Sequence, residues 1–101
     1  MTAPIDLAHH VRDNVLEIVW EDGLRARLAV PVLRGWCPCA TCQGHAPGIR
    51  FKDHGEAITL VDAAEVGAYA LGIRFSDGHD SGIYTWAFLR QLAEGRDPSR
   101  M

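Results

Sequence analysis

All three cysteines of this chain fall between positions 37 and 42, as Cys37, Cys39 and Cys42 of the stretch W-C-P-C-A-T-C. Thiolate sulfur is a soft metal ligand and a nucleophile, so this crowding restricts the chemistry to a few kinds. In an extended strand Cys37 and Cys39 point one way and Cys42 the other, and convergence of all three needs a turn. Pro38 suits one: its ring fixes φ at about −65° and removes an N–H that would go unpaired at the first position of a helix. With Cys37 in the capping position, Cys39 and Cys42 fall three apart on one helical face. The positive end of the helix then favours their thiolates. A disulfide framework fails on the odd count and the tight spacing. C-A-T-C offers a reversible thiol redox pair, but it follows a hairpin rather than lying in a βαβ unit and leaves Cys37 without a role. Haem attachment requires a histidine where Gln43 stands. Metal binding uses all three sulfurs, with zinc the first expectation. Iron, alone or as an iron–sulfur cluster, suits the same ligands.

Three thiolates leave one tetrahedral position open, and a closed zinc site fills it with histidine. The candidates are His9, His10, His45, His54 and His79. His45, three residues after Cys42, would close a small local loop. His79, in S-D-G-H-D-S-G, would reach across from a turn between a strand and a helix. Spacing leaves both open, while His9, His10 and His54 read as surface residues, the first two as a solvated pair. Asp77 and Asp80 flank His79, and either is placed to accept its second ring N–H and hold the metal-binding tautomer. Arg34 offsets the charge of the thiolates, and Trp36 and Trp86 read as shielding and packing residues. A hydrolytic zinc site would keep water in the fourth position, but such sites carry more histidine or carboxylate than this one.

The elements that must position these groups follow from local pattern. N-V-L-E-I-V-W-E-D-G-L-R-A-R-L-A-V reads as a β-hairpin. A two-residue turn at Asp22-Gly23 would oppose Trp20 with Arg25. A three-residue loop, Glu21 to Gly23 with Gly23 left-handed, instead opposes Trp20 with Leu24, Ile18 with Ala26 and Leu16 with Leu28, and sets Glu17 beside Arg27. The second register gives one apolar face and is the one expected. Y-A-L-G-I-R-F predicts a half-buried strand with Tyr69, Leu71, Ile73 and Phe75 inward. An earlier strand is expected over A-I-T-L-V, with D-A-A-E-V-G-A connecting the two. I-Y-T-W-A-F-L-R-Q-L-A-E-G reads as a helix capped by Ser81 and stopped at Gly95. Apolar residues on several of its sides leave room for a face that meets another protein, beside the simpler reading of a wide buried face. The expected class is α+β: a small antiparallel β-sheet, a cysteine-rich metal-binding loop and a C-terminal α-helix.

Composition supports one packed domain over residues 1–101, since 48% of residues are hydrophobic and only 23% charged. A net charge of −3 argues against nonspecific nucleic-acid binding. No segment reaches the roughly 20 apolar residues of a membrane span. The N-terminus lacks the pattern of a secretory signal, and the odd cysteine count fits a reducing compartment, so a cytoplasmic protein is expected.

L-R-G-W-C-P-C-A-T-C, followed far downstream by F-S-D-G-H-D-S-G-I-Y-T-W-A-F-L-R-Q-L, resembles the N-terminal domain of γ-butyrobetaine hydroxylase and its small standalone bacterial relatives of unknown function. The likeness runs from about Leu16 to Leu92. The resemblance implies a zinc site made by Cys37, Cys39, Cys42 and His79, apart from any active site. It also implies an α+β domain that recurs as an attachment, to oxygenases in some proteins and to an ATPase implicated in iron–sulfur cluster transfer in others. The hydroxylases continue into a large oxygenase domain, whereas this chain stops at Met101. His54 and Glu56 have the residue types of an iron triad but no barrel to present it, so carnitine-type oxygenation is not carried over. The expectation is a noncatalytic metal-binding module acting through a protein partner. An iron or iron–sulfur accessory protein is the alternative, and a C-x-x-C redox protein a remoter one.

Overall fold

The computed structural model describes residues 3–38, 51–79 and 82–96. Its elements run β1 (Pro4–His10), β2 (Val15–Trp20), β3 (Arg25–Ala29), α1 (Val30–Gly35), β4 (Leu60–Val66), β5 (Ala70–Phe75), β6 (Gly82–Thr85) and α2 (Trp86–Ala93). In place of one small sheet there are two, each antiparallel and three-stranded, in the orders β1-β2-β3 and β4-β5-β6. Their inward residues and both helices share one cluster, including Leu16, Ile18, Trp20 and Leu28 from the first sheet and Leu71, Ile73, Phe75 and Tyr84 from the second. Each such side chain removed from water contributes about 1.5–3 kcal/mol. No helix among the described residues is long and apolar enough to cross a membrane.

The first hairpin has the three-residue loop. Leu16 opposes Leu28, Glu17 opposes Arg27 and Ile18 opposes Ala26. Trp20 donates its N–H to Leu24 O at 2.8 Å, and Gly23 has φ +94°. The ion pairs differ from the simple cross-strand expectation. Glu17 meets Arg25 at 3.4 Å and His10 at 2.7 Å, while Arg27 turns to Asp13.

The elements not expected each have a local cause. β1 is an edge strand in which His9, paired with Leu16, is exposed, so its alternation is not apolar throughout. Asn14 turns it into β2 with φ +54°, a conformation Asn tolerates, and its side-chain amide donates to Ile58 O. α1 begins at Val30, the last residue of the expected hairpin. Pro31 stands in its first turn, where its fixed φ and missing N–H cost nothing. Gly35 lets the Phe51 ring lie against the backbone, where a Cβ would collide with it, and Lys52 N–H bonds Gly35 O at 2.9 Å. β4 covers Leu60–Val66, so D-A-A-E-V is strand rather than connection. A bulge between Leu60 and Asp62 breaks its alternation.

The expected C-terminal helix is a strand followed by a helix. Gly82 to Thr85 pair with β5, leaving Tyr84 buried and Ile83 exposed. Thr85, not Ser81, is the cap, accepting the Phe88 N–H at 3.1 Å. Ser81 lies outside the described residues. The apparent excess of apolar sides came from merging a period-2 segment with a period-3.6 one. Gly95 does end the helix, with φ +77° and Arg96 N–H bonded to Gln91 O. Tyr69, expected inward, precedes β5 and is 55% exposed.

One turn occurs twice. Trp20-Glu21-Asp22-Gly23-Leu24 and Phe75-Ser76-Asp77-Gly78-His79 both place an aromatic residue, then Asp-Gly, then the first residue after the loop. In both, the glycine has positive φ and donates to the aromatic residue's carbonyl, whose N–H donates across to the last residue. In both, the aspartate accepts the backbone N–H two residues on, from Leu24 and from His79. An arginine from a helix binds each aspartate and lies over the aromatic ring: Arg90 on Asp22 and Trp20, Arg34 on Asp77 and Phe75.

Candidate metal centre

Cys37 follows α1 after Trp36, and its N–H donates to the carbonyl of Arg34 in the helix's last turn at 3.2 Å. Its side chain is completely buried, and Gly82 opens the space: a Cβ there would sit 3.3 Å from Cys37 Sγ and 2.9 Å from the Tyr84 ring. Tyr84 anchors the same region by donating its hydroxyl to Leu33 O at 2.5 Å. Cys37 thus lies just past the end of one helix; Pro38 is described and is not helical, and the expected placing of Cys39 and Cys42 on one helical face lies outside the described residues.

His79 is the last residue of the second Asp-Gly turn. Its N–H donates to Asp77 Oδ1 at 3.1 Å, and its carbonyl accepts the Phe75 N–H at 2.9 Å. The other Asp77 oxygen accepts from Arg34 Nε at 2.8 Å. Asp77 therefore holds the backbone of His79, where a bond to the ring was expected. Burial pushes the Asp77 carboxyl up, but the bonds from Arg34 and from the His79 backbone prevail and leave it below its ordinary value. Arg34 is 6% exposed, so its charge is matched by this partner rather than by solvent.

These two anchors bring Cys37 Sγ and His79 Nε2 to 3.1 Å, across 42 positions of sequence. Such a contact is either a sulfur–imidazole hydrogen bond or two ligands waiting for one ion. Sulfur and nitrogen on one tetrahedral zinc stand about 3.6 Å apart, from Zn–S near 2.3 Å and Zn–N near 2.05 Å. The pair fits after opening by about half an ångström, within the swing of two side chains. Cys39, Cys42, His45 and Asp80 lie outside the described residues. Among the described residues no three metal-ligating side chains converge.

The other histidines are apart from this pair. His9 is exposed on β1, and His10, partly exposed beside it, is bonded to Glu17 Oε1 at 2.7 Å. That bond, more than the pull of Arg25, holds the Glu17 carboxyl below its ordinary value. His54 and Glu56 are both exposed, with no third ligand beside them among the described residues. Trp36 packs edge-on against Phe51 at 5.2 Å, and Trp86 donates its indole N–H to Ala68 O.

Two three-stranded antiparallel sheets with a C-terminal helix define a small α+β fold. The family described as gamma-butyrobetaine hydroxylase-like, N-terminal, matches residues 7–90, and the chain belongs to it. Among solved structures, a protein of unknown function of the DUF971 family from Acidithiobacillus ferrooxidans is 36% identical, with TM-score 0.74, covering 89% of this chain and 91% of that one. Two solution NMR structures are also similar. One is 30% identical with TM-score 0.80, covering 94% of this chain and 71% of that one. The other is 33% identical with TM-score 0.76, covering 93% and 74%. No curated protein matches.

Proposed function

We propose that this chain is a zinc-binding module without chemistry of its own, using Cys37, Cys39, Cys42 and His79 as ligands and serving as an accessory to a protein partner. The observation that carries the metal reading is the 3.1 Å approach of Cys37 Sγ to His79 Nε2, delivered by two separately anchored segments. Alone, Cys37 would be an ordinary buried thiol and His79 an ordinary partly exposed turn histidine. Together they supply a soft sulfur and an imidazole nitrogen at nearly the spacing one ion requires. Bound there, zinc would supply cross-linking: it would tie the end of α1 to the β5–β6 turn.

The complete burial of Cys37 supports a structural rather than a catalytic role, because a thiol with no exposure cannot attack a substrate. The accessory role is supported by family membership, since the matching family is a domain described as the N-terminal part of a larger enzyme.

Native mass spectrometry of protein purified without added metal tests this reading. One zinc per chain in a colourless protein is the expected result, and the same spectrum reports subunit number. Visible absorption bands after anaerobic purification would favour an iron–sulfur protein instead. A protein that neither retains zinc nor takes it up on titration would overturn the proposal.

A further inference from the structure

Four hydrogen bonds close a ring through Arg34, Cys37, His79 and Asp77. Arg34 O accepts the Cys37 N–H at 3.2 Å; Cys37 Sγ meets His79 Nε2 at 3.1 Å. His79 N–H donates to Asp77 Oδ1 at 3.1 Å, and Asp77 Oδ2 accepts from Arg34 Nε at 2.8 Å. One residue, Arg34, therefore holds both halves of the candidate centre, the cysteine through its carbonyl and the histidine through its side chain and Asp77. From this ring we infer that Arg34 and Asp77 are positioning residues that set the Cys37–His79 spacing before any metal arrives. The inference rests on the zinc reading.

The first hairpin supplies an internal comparison. There Arg90 grips Asp22 through two bonds, at 2.9 and 2.7 Å, and the turn ends in Leu24, which offers no ligand atom. The arginine–aspartate lock is thus a general way of fixing this turn. Only in the second turn does the residue it fixes carry an imidazole. A lock serving stability alone leaves metal affinity unchanged when it is weakened; a positioning lock does not. Pre-setting matters because ligands that must be ordered on binding lose affinity to that ordering.

The experiment compares wild type, Asp77→Asn, Asp77→Ala and Asp22→Asn for zinc affinity, by competition with a chromophoric chelator. It is run at a temperature where circular dichroism shows each metal-free protein folded. An amide has one oxygen, so Asp77→Asn keeps one of the two bonds and Asp77→Ala keeps neither. Losses of about tenfold for Asp77→Asn and up to about 100-fold for Asp77→Ala are expected, the range typical of groups that orient metal ligands. The cobalt(II)-substituted variants should show altered ligand-field bands. Asp22→Asn should lower the melting temperature and leave zinc affinity and cobalt spectrum as in wild type. If Asp77→Ala does not fold, Asp77→Asn carries the test. Wild type that binds zinc while both folded Asp77 variants bind it equally well overturns this inference alone, as does an equal loss in Asp22→Asn. Wild type that binds none overturns the zinc reading and this inference together.

Discussion

Cys37 and His79 derive their meaning from what surrounds them, and the consequences of changing them differ accordingly. His79→Ala removes a proposed ligand outright, so it should cost more zinc affinity than the roughly 10–100-fold carried by groups that merely orient ligands. His45→Ala should cost little. Chelator competition on the two variants measures both, and the reverse ranking would mean that the centre is closed locally by His45. Gly82 tests the packing behind the sulfur. A methyl at that position meets the Tyr84 ring at 2.9 Å, and that ring is buried and tied to Leu33 O. The neighbour cannot yield cheaply, so Gly82→Ala should destabilise the protein by about 1–3 kcal/mol, as overpacking does. Thermal denaturation of the variant checks this.

At the scale of elements, the turn between β2 and β3 is held to α2 by charge. Bonds from Arg90 hold the Asp22 and Glu94 carboxyls below their ordinary values of 3.8 and 4.5. A carboxylate whose folded pKa is depressed contributes stability above its unfolded pKa and loses it as pH falls through the folded one. The wild type should therefore lose stability on acidification from about pH 5 toward pH 3. Arg90→Met should show a shallower acid loss in melting temperature across that range, and added salt should bring the two proteins together, because these side chains face solvent. An unchanged acid slope in Arg90→Met would show that the lock contributes nothing at equilibrium. The hairpin that carries this lock was legible in the sequence because only one register puts Leu16, Ile18 and Trp20 on one face, and Gly23 had to be left-handed for it. β4 was misplaced because a bulge near Val61 breaks the alternation that would have marked it. The β6–α2 border was missed because Ile83 and Tyr84 are as apolar as the helix that follows, and only pairing with β5 makes Gly82–Thr85 strand. At the centre, spacing left His45 and His79 both open, only the resemblance chose His79, and Asp77 and Asp80 were equal candidates beside it. The sequence could not show that Arg34, 43 positions away from Asp77, is the partner that completes the lock.

For the molecule as a whole, the proposed metal joins segments that are far apart in the chain. Cys37 and His79 stand 42 positions apart, whereas Cys37 and His45 stand eight apart. Closing the longer loop removes about 1.5 kcal/mol more freedom from the unfolded chain, since closure entropy grows with the logarithm of loop length. Zinc on His79 should therefore be strongly linked to folding. Zinc at a thousand times its dissociation constant contributes about 4 kcal/mol, which for a chain of about 100 residues corresponds to roughly 15–30 °C in melting temperature. A chelator should lower the wild-type transition by an amount of that order, in the same direction but much less in His79→Ala. The metal-free protein should still unfold cooperatively, because the shared cluster of both sheets and both helices includes no described ligand except Cys37. Equal chelator effects on wild type and His79→Ala would show that whatever metal the protein holds does not bridge the α1 end and the β5–β6 turn. A metal-free chain without a cooperative transition would instead show that the two sheets need the bridge to pack at all.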